Sequence, residues 1–184
     1  MKGEVFNLLE QYLVEHAGPE LCEQIHAKAA PELEYKGPHI GPGTYEDRDF
    51  FTILKETVSA LGISADAAAL AFGKYCFPKL AARFGDRMRD YHNTREFLLV
   101  IQDVIHVEVK KLMSGARPPN FYYVDQTEDS LTMIYDSERN LHCFAEGLFY
   151  GCAAYFGETI EVKKELLAYQ GRKCCIFTLT FGRP

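Results

Sequence analysis

The sequence predicts an α+β domain in which helices come first and an antiparallel sheet follows. Apolar residues recur at helical spacing up to about residue 115, and after Pro118-Pro119 the period changes to that of strands. Of the 184 residues, 47% are hydrophobic and 25% are charged, a balance that supplies one hydrophobic core. We therefore expect a single domain over residues 1–184, with a helical part over about 1–115 and a sheet-containing part over about 116–184.

Glycine, proline and capping signals divide the helical part. Gly18-Pro19 interrupts the first apolar repeat, and Ser64 is a residue type that caps helices well. Pro78 favours an end to the helix that Ser64 begins, because proline inside a helix lacks an N–H donor. Asn93 and Glu96 resemble a capping box that opens a long helix. The expected helices span residues 5–17, 21–29, 46–62, 65–76 and 94–113.

The sheet-containing part has the order strand, strand, helix, strand, strand. Runs of β-branched and aromatic residues indicate the strands, and a segment with helical apolar spacing lies between the second strand and the third. Gln170-Gly171 is expected to join the last two strands. The expected strands span residues 121–124, 130–137, 159–169 and 173–181, and the helix spans 141–156. This order predicts an antiparallel four-stranded sheet.

Charge and hydropathy argue against two classes of partner. The formal net charge is −6, from 26 acidic and 20 basic residues, which disfavours a nucleic-acid-binding surface. No apolar run reaches the roughly 20 residues that cross a bilayer, so no membrane association is expected. The 6 cysteines have no CxxC spacing, and the amphipathic N-terminus does not resemble a secretory signal. We therefore expect a cytoplasmic protein with reduced thiols.

His106 is the most informative of the 6 histidines. It lies at the margin of the apolar face of the helix over residues 94–113, beside Ile105 and Val109. One interpretation is a hydrogen-bonded histidine at the boundary of the core. The other is a single axial metal ligand, because a neutral imidazole on a helix is a common way to hold haem iron. A tetrahedral zinc site would need more ligands than this neighbourhood offers.

A run of alternate residues on the second strand continues from apolar to polar. Strand periodicity places Leu131, Met133, Tyr135, Ser137 and Arg139 on one face. If this face is buried, its polar groups need partners, since an unpaired buried donor costs about 1–3 kcal/mol. Hydroxyl and guanidinium groups donate to carboxylates, so they would form a clamp for acidic groups; alternatively, the strand end is exposed and they are solvated. Haem carries both a metal and two propionates, and it would engage the imidazole and the clamp together.

These residues together resemble the H-NOX (haem–nitric oxide/oxygen binding) domain family, bacterial relatives of the haem domain of soluble guanylate cyclase. The motif Tyr135-x-Ser137-x-Arg139 is specific when it occurs with the upstream histidine. The order and spacing match over essentially the whole chain. The matching pieces are Met1-Lys2-Gly3, Val104-Ile105-His106, Arg117-Pro118-Pro119, Tyr135-x-Ser137-x-Arg139 and the helix that carries Gly147 and Gly151.

The resemblance implies a role for each candidate site residue. His106 would be the proximal ligand to the ferrous iron of haem b, and Pro119 would press on the porphyrin and distort it. The propionates would be bound by Tyr135, Ser137 and Arg139. By position rather than by motif, the distal pocket would be lined by Val5, Leu9, Phe77, Phe144 and Leu148.

The distal residues bear on which gas is bound. Oxygen-binding members of the family have a distal tyrosine that donates a hydrogen bond to O₂, and its counterpart here is Phe144, which cannot donate. Tyr75 and Cys76 are the nearby polar candidates, and a thiol is a weak donor. The resemblance therefore implies stable NO and CO complexes and no stable O₂ complex.

The resemblance also implies a sensor without catalysis of its own. NO would weaken the His106–iron bond, and loss of that bond would alter the surface offered to a separate histidine kinase or cyclic-di-GMP enzyme. A haem enzyme such as a peroxidase is disfavoured, because the distal side lacks acid–base residues.

A cysteine- or zinc-based redox sensor on the same scaffold is the alternative. Some relatives hold zinc in the C-terminal half, and this chain has His142, Cys143, Cys174 and Cys175 there. Glu165, Leu166 and Leu167 stand where the family pattern has further ligands, so the zinc pattern is incomplete.

Overall fold

A computed structural model describes residues 1–169 and 172–182, and it confirms the α+β fold with a helical part followed by an antiparallel sheet. The predicted turn at Gln170-Gly171 lies outside the described residues. Helices α1 to α7 span Gly3–Ala17, Pro19–Ala29, Asp47–Leu61, Ala65–Phe84, Thr94–Leu99, His106–Leu112 and His142–Tyr155. Strands β1 to β4 span Asn120–Gln126, Ser130–Asp136, Ile160–Tyr169 and Arg172–Phe181.

The four strands form one antiparallel sheet in the order β1-β2-β4-β3. The register places Tyr135 of β2 opposite Phe121 of β1 and Cys175 of β4. Leu131, Met133 and Tyr135 are all buried, so they define the inward face that their spacing predicts. Helix α7 packs against this face and separates it from the N-terminal helices.

Helix α4 is longer than the sequence predicts. The expected end was residue 76, but the helix continues through Pro78 and ends at Gly85. Phe77 and Ala81 are buried on either side of the proline. Their packing offsets the cost of proline in a helix, which is about 3 kcal/mol.

The helix predicted over residues 94–113 is interrupted. It starts as predicted, because the Asn93 side-chain oxygen accepts a hydrogen bond from the Glu96 amide at 2.8 Å. A π-helix over Ile101–Ile105 then separates α5 from α6, which begins at His106. No residue of the π-helix or of α6 is fully buried, so core packing does not impose one regular helix. The irregular turn therefore directly precedes His106.

Helices α4 and α7 approach each other closely at two glycines. A Cβ at Gly73 would lie 2.3 Å from the Phe144 carbonyl oxygen, and a Cβ at Gly147 would lie 2.2 Å from the Leu70 carbonyl oxygen. Only glycine fits at either position without moving the backbones apart. This contact fixes the position of Phe144 and Leu148, which α7 carries.

Two clusters of buried apolar side chains make up the core. One lies mainly between α7 and the sheet, and the other lies among α1, α2, α3 and α4. Within residues 1–169 and 172–182, none of the helices is long and apolar enough to cross a membrane.

Candidate functional site

A cavity of about 530 Å³ lies between the helices and the sheet. Residues of α1, α4 and α7 line one side, and α6 with the segment over residues 113–119 lines the other. The ends of β1 and β2 also contribute. The volume lies within the range of roughly 300–1,000 Å³ that is usual for ligand and cofactor sites.

His106 lines this cavity from the first turn of α6. Its Nδ1 atom is buried without a hydrogen-bond partner, which is unusual for a buried polar atom. Burial and the Lys110 ammonium lower the pKa of His106 to about 4, against a smaller opposing contribution from the Pro119 backbone. The imidazole is therefore neutral near pH 7, and this is the form that binds metals.

Tyr135, Ser137 and Arg139 line the cavity where β2 ends. The strand ends at Asp136, so Ser137 and Arg139 lie in the turn that follows and not on the strand itself. Ser137 Oγ accepts a hydrogen bond from the Arg139 amide at 3.3 Å. Burial raises the pKa of Tyr135, while the Ser137 hydroxyl acts in the opposite direction. The structure thus brings a phenol, a hydroxyl and a guanidinium to one cavity.

Asp47 on α3 is an acidic residue near this cavity that the sequence analysis did not identify. Its carboxylate accepts a hydrogen bond from Arg139 Nε at 2.8 Å and pairs with the Met1 ammonium at 2.5 Å. The Arg117 guanidinium lies 3.7 Å from it. Burial opposes the charge, but the ammonium and Arg139 hold the pKa of Asp47 below its usual value. Asp47 and Arg139 are 92 residues apart, so no local pattern reveals the pair.

Most side chains of the opposite wall of the cavity are apolar. Leu9 does not line it, because α1 reaches the cavity only with its first turn, and Leu9 is instead buried in the helical core. Tyr75 and Cys76 are not among the lining residues either, whereas Pro119 lines the side that carries His106. The predicted distal residues that do line the cavity are Val5, Phe77, Phe144 and Leu148.

Glu4 is a second lining residue that the sequence analysis missed. Its side chain is only 7% exposed, and its Oε1 lies 2.5 Å from a guanidinium nitrogen of Arg83, which also lines the cavity. The pair joins α1 to the last turn of α4. Because each charge is matched by the other, the pair leaves the apolar wall without a net charge.

The candidate zinc ligands do not all come together: the ligand atoms of His142 and Cys143 lie within 4.8 Å of each other, but Cys174 and Cys175 do not belong to that group. Cys174 and Cys175 are consecutive residues of β4, so their side chains point to opposite faces of the sheet. Cys143 Sγ accepts a hydrogen bond from the Lys164 ammonium at 3.2 Å, and a second cation beside that sulfur would be repelled. A zinc site built from His142, Cys143, Cys174 and Cys175 is therefore not supported.

The donors of the cavity match a cofactor that carries both a metal and acidic groups. A neutral imidazole faces the apolar space, and the phenol, hydroxyl and guanidinium lie where β2 ends. Fold and site together define an α+β domain built to hold haem. The sequence profile described as Haem-NO-binding matches residues 2–164, and the chain therefore belongs to that family, the H-NOX domains. Domains of this family are haem-based gas sensors that are not catalytic on their own.

Solved H-NOX structures align with the whole chain. The Fe(II) unliganded H-NOX protein from K. algicida is 27% identical, with 100% of this chain and 98% of that chain covered and a TM-score of 0.91. The H-NOX protein from S. oneidensis in the Fe(II)NO ligation state is 26% identical, with both chains covered over 100% and a TM-score of 0.88. The S. oneidensis domain in the Fe(II)CO ligation state has the same identity and coverage and a TM-score of 0.86. A search of curated proteins finds no match.

Proposed function

We propose that this protein is a nitric oxide sensor that holds ferrous haem b through His106 and regulates a separate signalling protein. The observation that carries the proposal is the neutral imidazole in the cavity wall, whose Nδ1 is buried without a partner. A relative of similar fold is described in an Fe(II)NO ligation state, and this supports NO as the ligand.

Each side of the cavity has a proposed task. His106 would hold the iron, and Pro119, on the same side, would press on the porphyrin. Tyr135, Ser137 and Arg139 would donate hydrogen bonds to the propionates, and Asp47 holds the Arg139 guanidinium in place through its Nε at 2.8 Å. The distal face is covered by Val5, Phe77, Phe144 and Leu148.

The distal residues favour NO and CO over O₂. Bound O₂ needs a hydrogen-bond donor to persist, and Phe144 offers none. Of the polar residues near this wall, Glu4 and Arg83 are paired with each other, which leaves Arg83 less free to donate elsewhere. We therefore expect stable complexes with NO and CO and none with O₂.

The haem, when bound, supplies the iron at which NO binds and through which the hold on His106 is weakened. The protein must convert a weakened hold on His106 into a structural change at its surface. His106 begins α6, and Val104, Val107 and Leu112 near it are exposed. A shift of this segment changes an exposed surface, and a partner that binds the two surfaces differently is thereby regulated. A histidine kinase or a cyclic-di-GMP enzyme is the partner we propose, in the cytoplasm, where the 6 free cysteines remain reduced.

Absorption spectroscopy tests the cofactor and the ligand together. Protein produced with ample haemin should be coloured, and its Soret band in the ferrous state should shift when NO or CO is added. Exposure of the ferrous protein to air should give no long-lived oxy spectrum. Protein that emerges colourless and takes up no haem would refute the proposal.

Replacing His106 tests the switch itself. In His106→Gly with added imidazole, the haem should be retained while the effect of NO on the partner is lost, because the iron is no longer tied to the chain. His92→Gly removes an exposed histidine outside the cavity and should respond to NO as the original protein does. An unchanged NO response in His106→Gly would contradict the mechanism.

A further inference from the structure

A cluster of reactive side chains that do not line the cavity lies where the start of α7 meets the edge strand β3. The Lys164 ammonium donates one hydrogen bond to Cys143 Sγ at 3.2 Å and another to Glu146 Oε2 at 2.7 Å. The ligand atoms of Asp66, His142 and Cys143 all lie within 4.8 Å of one another, so an acid and an imidazole flank the same sulfur. The cluster therefore combines a nucleophile, an amine and groups that accept protons.

Access to the cluster is through Lys164. Cys143 itself is buried, with 3% of its surface exposed, but the Lys164 side chain is 34% exposed and the Asp66 side is open to solvent. The solvent-exposed members of the cluster are thus Lys164 and Asp66, and the buried sulfur lies within hydrogen-bonding distance of the lysine. By contrast, Cys76 and Cys152 are fully buried, and burial is the main cause that raises their pKa values strongly.

From this geometry we infer that Cys143 and Lys164 form a reversible sulfur–nitrogen bond when the protein meets hydrogen peroxide. The inference does not depend on the proposed gas-sensing function, because no atom of the haem site takes part. The bond would be a sulfenamide, the product of a sulfenic acid and a nitrogen nucleophile. Its two atoms are already 3.2 Å apart.

The chemistry proceeds in two balanced steps. First, the Cys143 thiolate attacks peroxide: an S–O bond forms, the O–O bond breaks, hydroxide leaves, and sulfur is oxidised by two electrons while peroxide is reduced by two. Second, the Lys164 amine attacks the sulfur of the sulfenic acid: an S–N bond forms, and the S–O bond breaks with release of water. The net change is the loss of two hydrogens from the protein, and one peroxide becomes two waters.

Neighbouring groups affect the protonation of both reacting atoms. Burial raises the pKa of Cys143, and the Lys164 ammonium only partly opposes that rise. Burial acts against the charge of Lys164, but its hydrogen bonds to Glu146 and Cys143 raise the pKa of the amine above its usual value. Glu146 Oε2, 2.7 Å from Lys164 Nζ, lies where it can accept a proton when the amine reacts. Since the thiolate and the free amine are both needed, the bond should form faster as pH rises.

The bond would tie α7 to the edge of the sheet. Cys143 belongs to the first turn of α7, and the next residue, Phe144, lines the cavity. Lys164 lies on β3, which hydrogen-bonds to β4 on one side only. Oxidation would therefore restrain the helix that forms part of the cavity wall.

Peptide mapping by mass spectrometry tests the inference. The full chain, once with its haem and once as a haem-free preparation, is treated with hydrogen peroxide near neutral pH, and excess peroxide is removed before digestion. We expect a joined peptide pair linking Cys143 to Lys164, lighter than its two parts by about 2 Da, that separates on addition of dithiothreitol. Because the haem-free sample is included, failure to bind haem would not obscure the result.

Two lysine variants give matched controls. Lys164→Arg keeps a positive charge but should lower the yield of the joined pair at least tenfold. Lys163→Arg changes the neighbouring lysine, which is 76% exposed, and should leave the yield unchanged. Cys174→Ser/Cys175→Ser should also leave it unchanged. Peroxide products of Cys143 that are only sulfur acids or a disulfide, or a joined pair that persists in Lys164→Arg, would overturn the inference.

Discussion

The two sides of the cavity are built in opposite ways. On one side, α4 and α7 are regular helices whose backbones touch at Gly73 and Gly147, and their facing residues are buried. On the other side, the π-helix over Ile101–Ile105 and the short helix α6 contain no fully buried residue. The first side is held by close packing, while on the second side Ile101 and Ile105 are only partly buried where they pack against the core.

Hydrogen bonds attach the irregular side to the sheet instead. The Gln102 side chain of the π-helix accepts a hydrogen bond from the Phe121 amide at 2.9 Å, and just before the π-helix the Leu98 carbonyl of α5 accepts one from the Tyr123 hydroxyl at 2.6 Å. Two such bonds contribute on the order of 1 kcal/mol each. One wall therefore shapes the ligand space, and the other is free to respond to it. Substitutions on the two sides should therefore differ widely in cost.

The largest effect is expected where the two helices touch. Gly147→Ala places a Cβ 2.2 Å from the Leu70 carbonyl oxygen, so the helices must separate, and we expect a loss of about 3 kcal/mol or more. The midpoint of urea denaturation measures this loss. An unchanged midpoint would mean that the crossing is looser than its geometry indicates.

The next effect concerns the charge of His106. Its pKa is near 4 in the fold against 6.5 as the ordinary value, so the unfolded chain takes up a proton first as the pH falls. This residue's contribution is therefore complete above pH 6.5 and is lost as the pH approaches 4, by about 3 kcal/mol in total. Unfolding of haem-free protein at several pH values measures it. The free energy of unfolding of His106→Gln should change less with pH over that window than that of the original protein. An equal pH dependence of the two proteins would contradict the prediction.

A smaller effect is expected at the acid that holds Arg139. Asp47→Asn removes a charge that faces the Met1 ammonium and Arg139, and should cost about 1–2 kcal/mol at pH 7. The pKa of Asp47 is lowered in the fold, so the difference should shrink as the pH falls below 3.8. Thermal unfolding checks both points. Glu138→Gln removes an acid that is 80% exposed and should not change the stability measurably. An equal loss of stability in that variant would show that the contacts of Asp47 do not account for its effect.

The smallest effect is expected on the irregular side. Leu112 ends α6 and is 74% exposed, so Leu112→Ala should change stability by less than about 0.5 kcal/mol. Urea denaturation beside the Gly147→Ala variant gives a direct comparison of the two sides. A loss of stability as large as that of Gly147→Ala would show that the two sides of the cavity do not differ in packing.

Much of the fold could be predicted because local signals were strong. The change from helical to strand spacing after Pro118-Pro119 gave the α+β class, and the alternation of Leu131, Met133 and Tyr135 gave the buried face of β2. Two element boundaries were wrong because tertiary contacts decided them. Buried neighbours carry α4 past Pro78, and the lack of such neighbours lets the helix before His106 become irregular.

The residues of the candidate site also fall into those that local signals predict and those that depend on tertiary contacts. His106 and the three donors near the end of β2 could be chosen because each has a chemistry that needs a partner when buried. Asp47 and Glu4 could not be chosen from the sequence, because their partners Arg139 and Arg83 come from distant parts of the chain. Leu9 lies one helical turn beyond Val5, which lines the cavity. Spacing gives the face of a helix but not how far the cavity extends along it.

The π-helix before His106 stores one extra residue in its turn compared with an α-helix. Rewinding that turn to α geometry would advance everything after it by about 100° around the helix axis. A rotation of that size is enough to swing an imidazole out of the cavity and bring a different side chain to the same spot. Any change in the winding of this segment would therefore be coupled to the position of the imidazole.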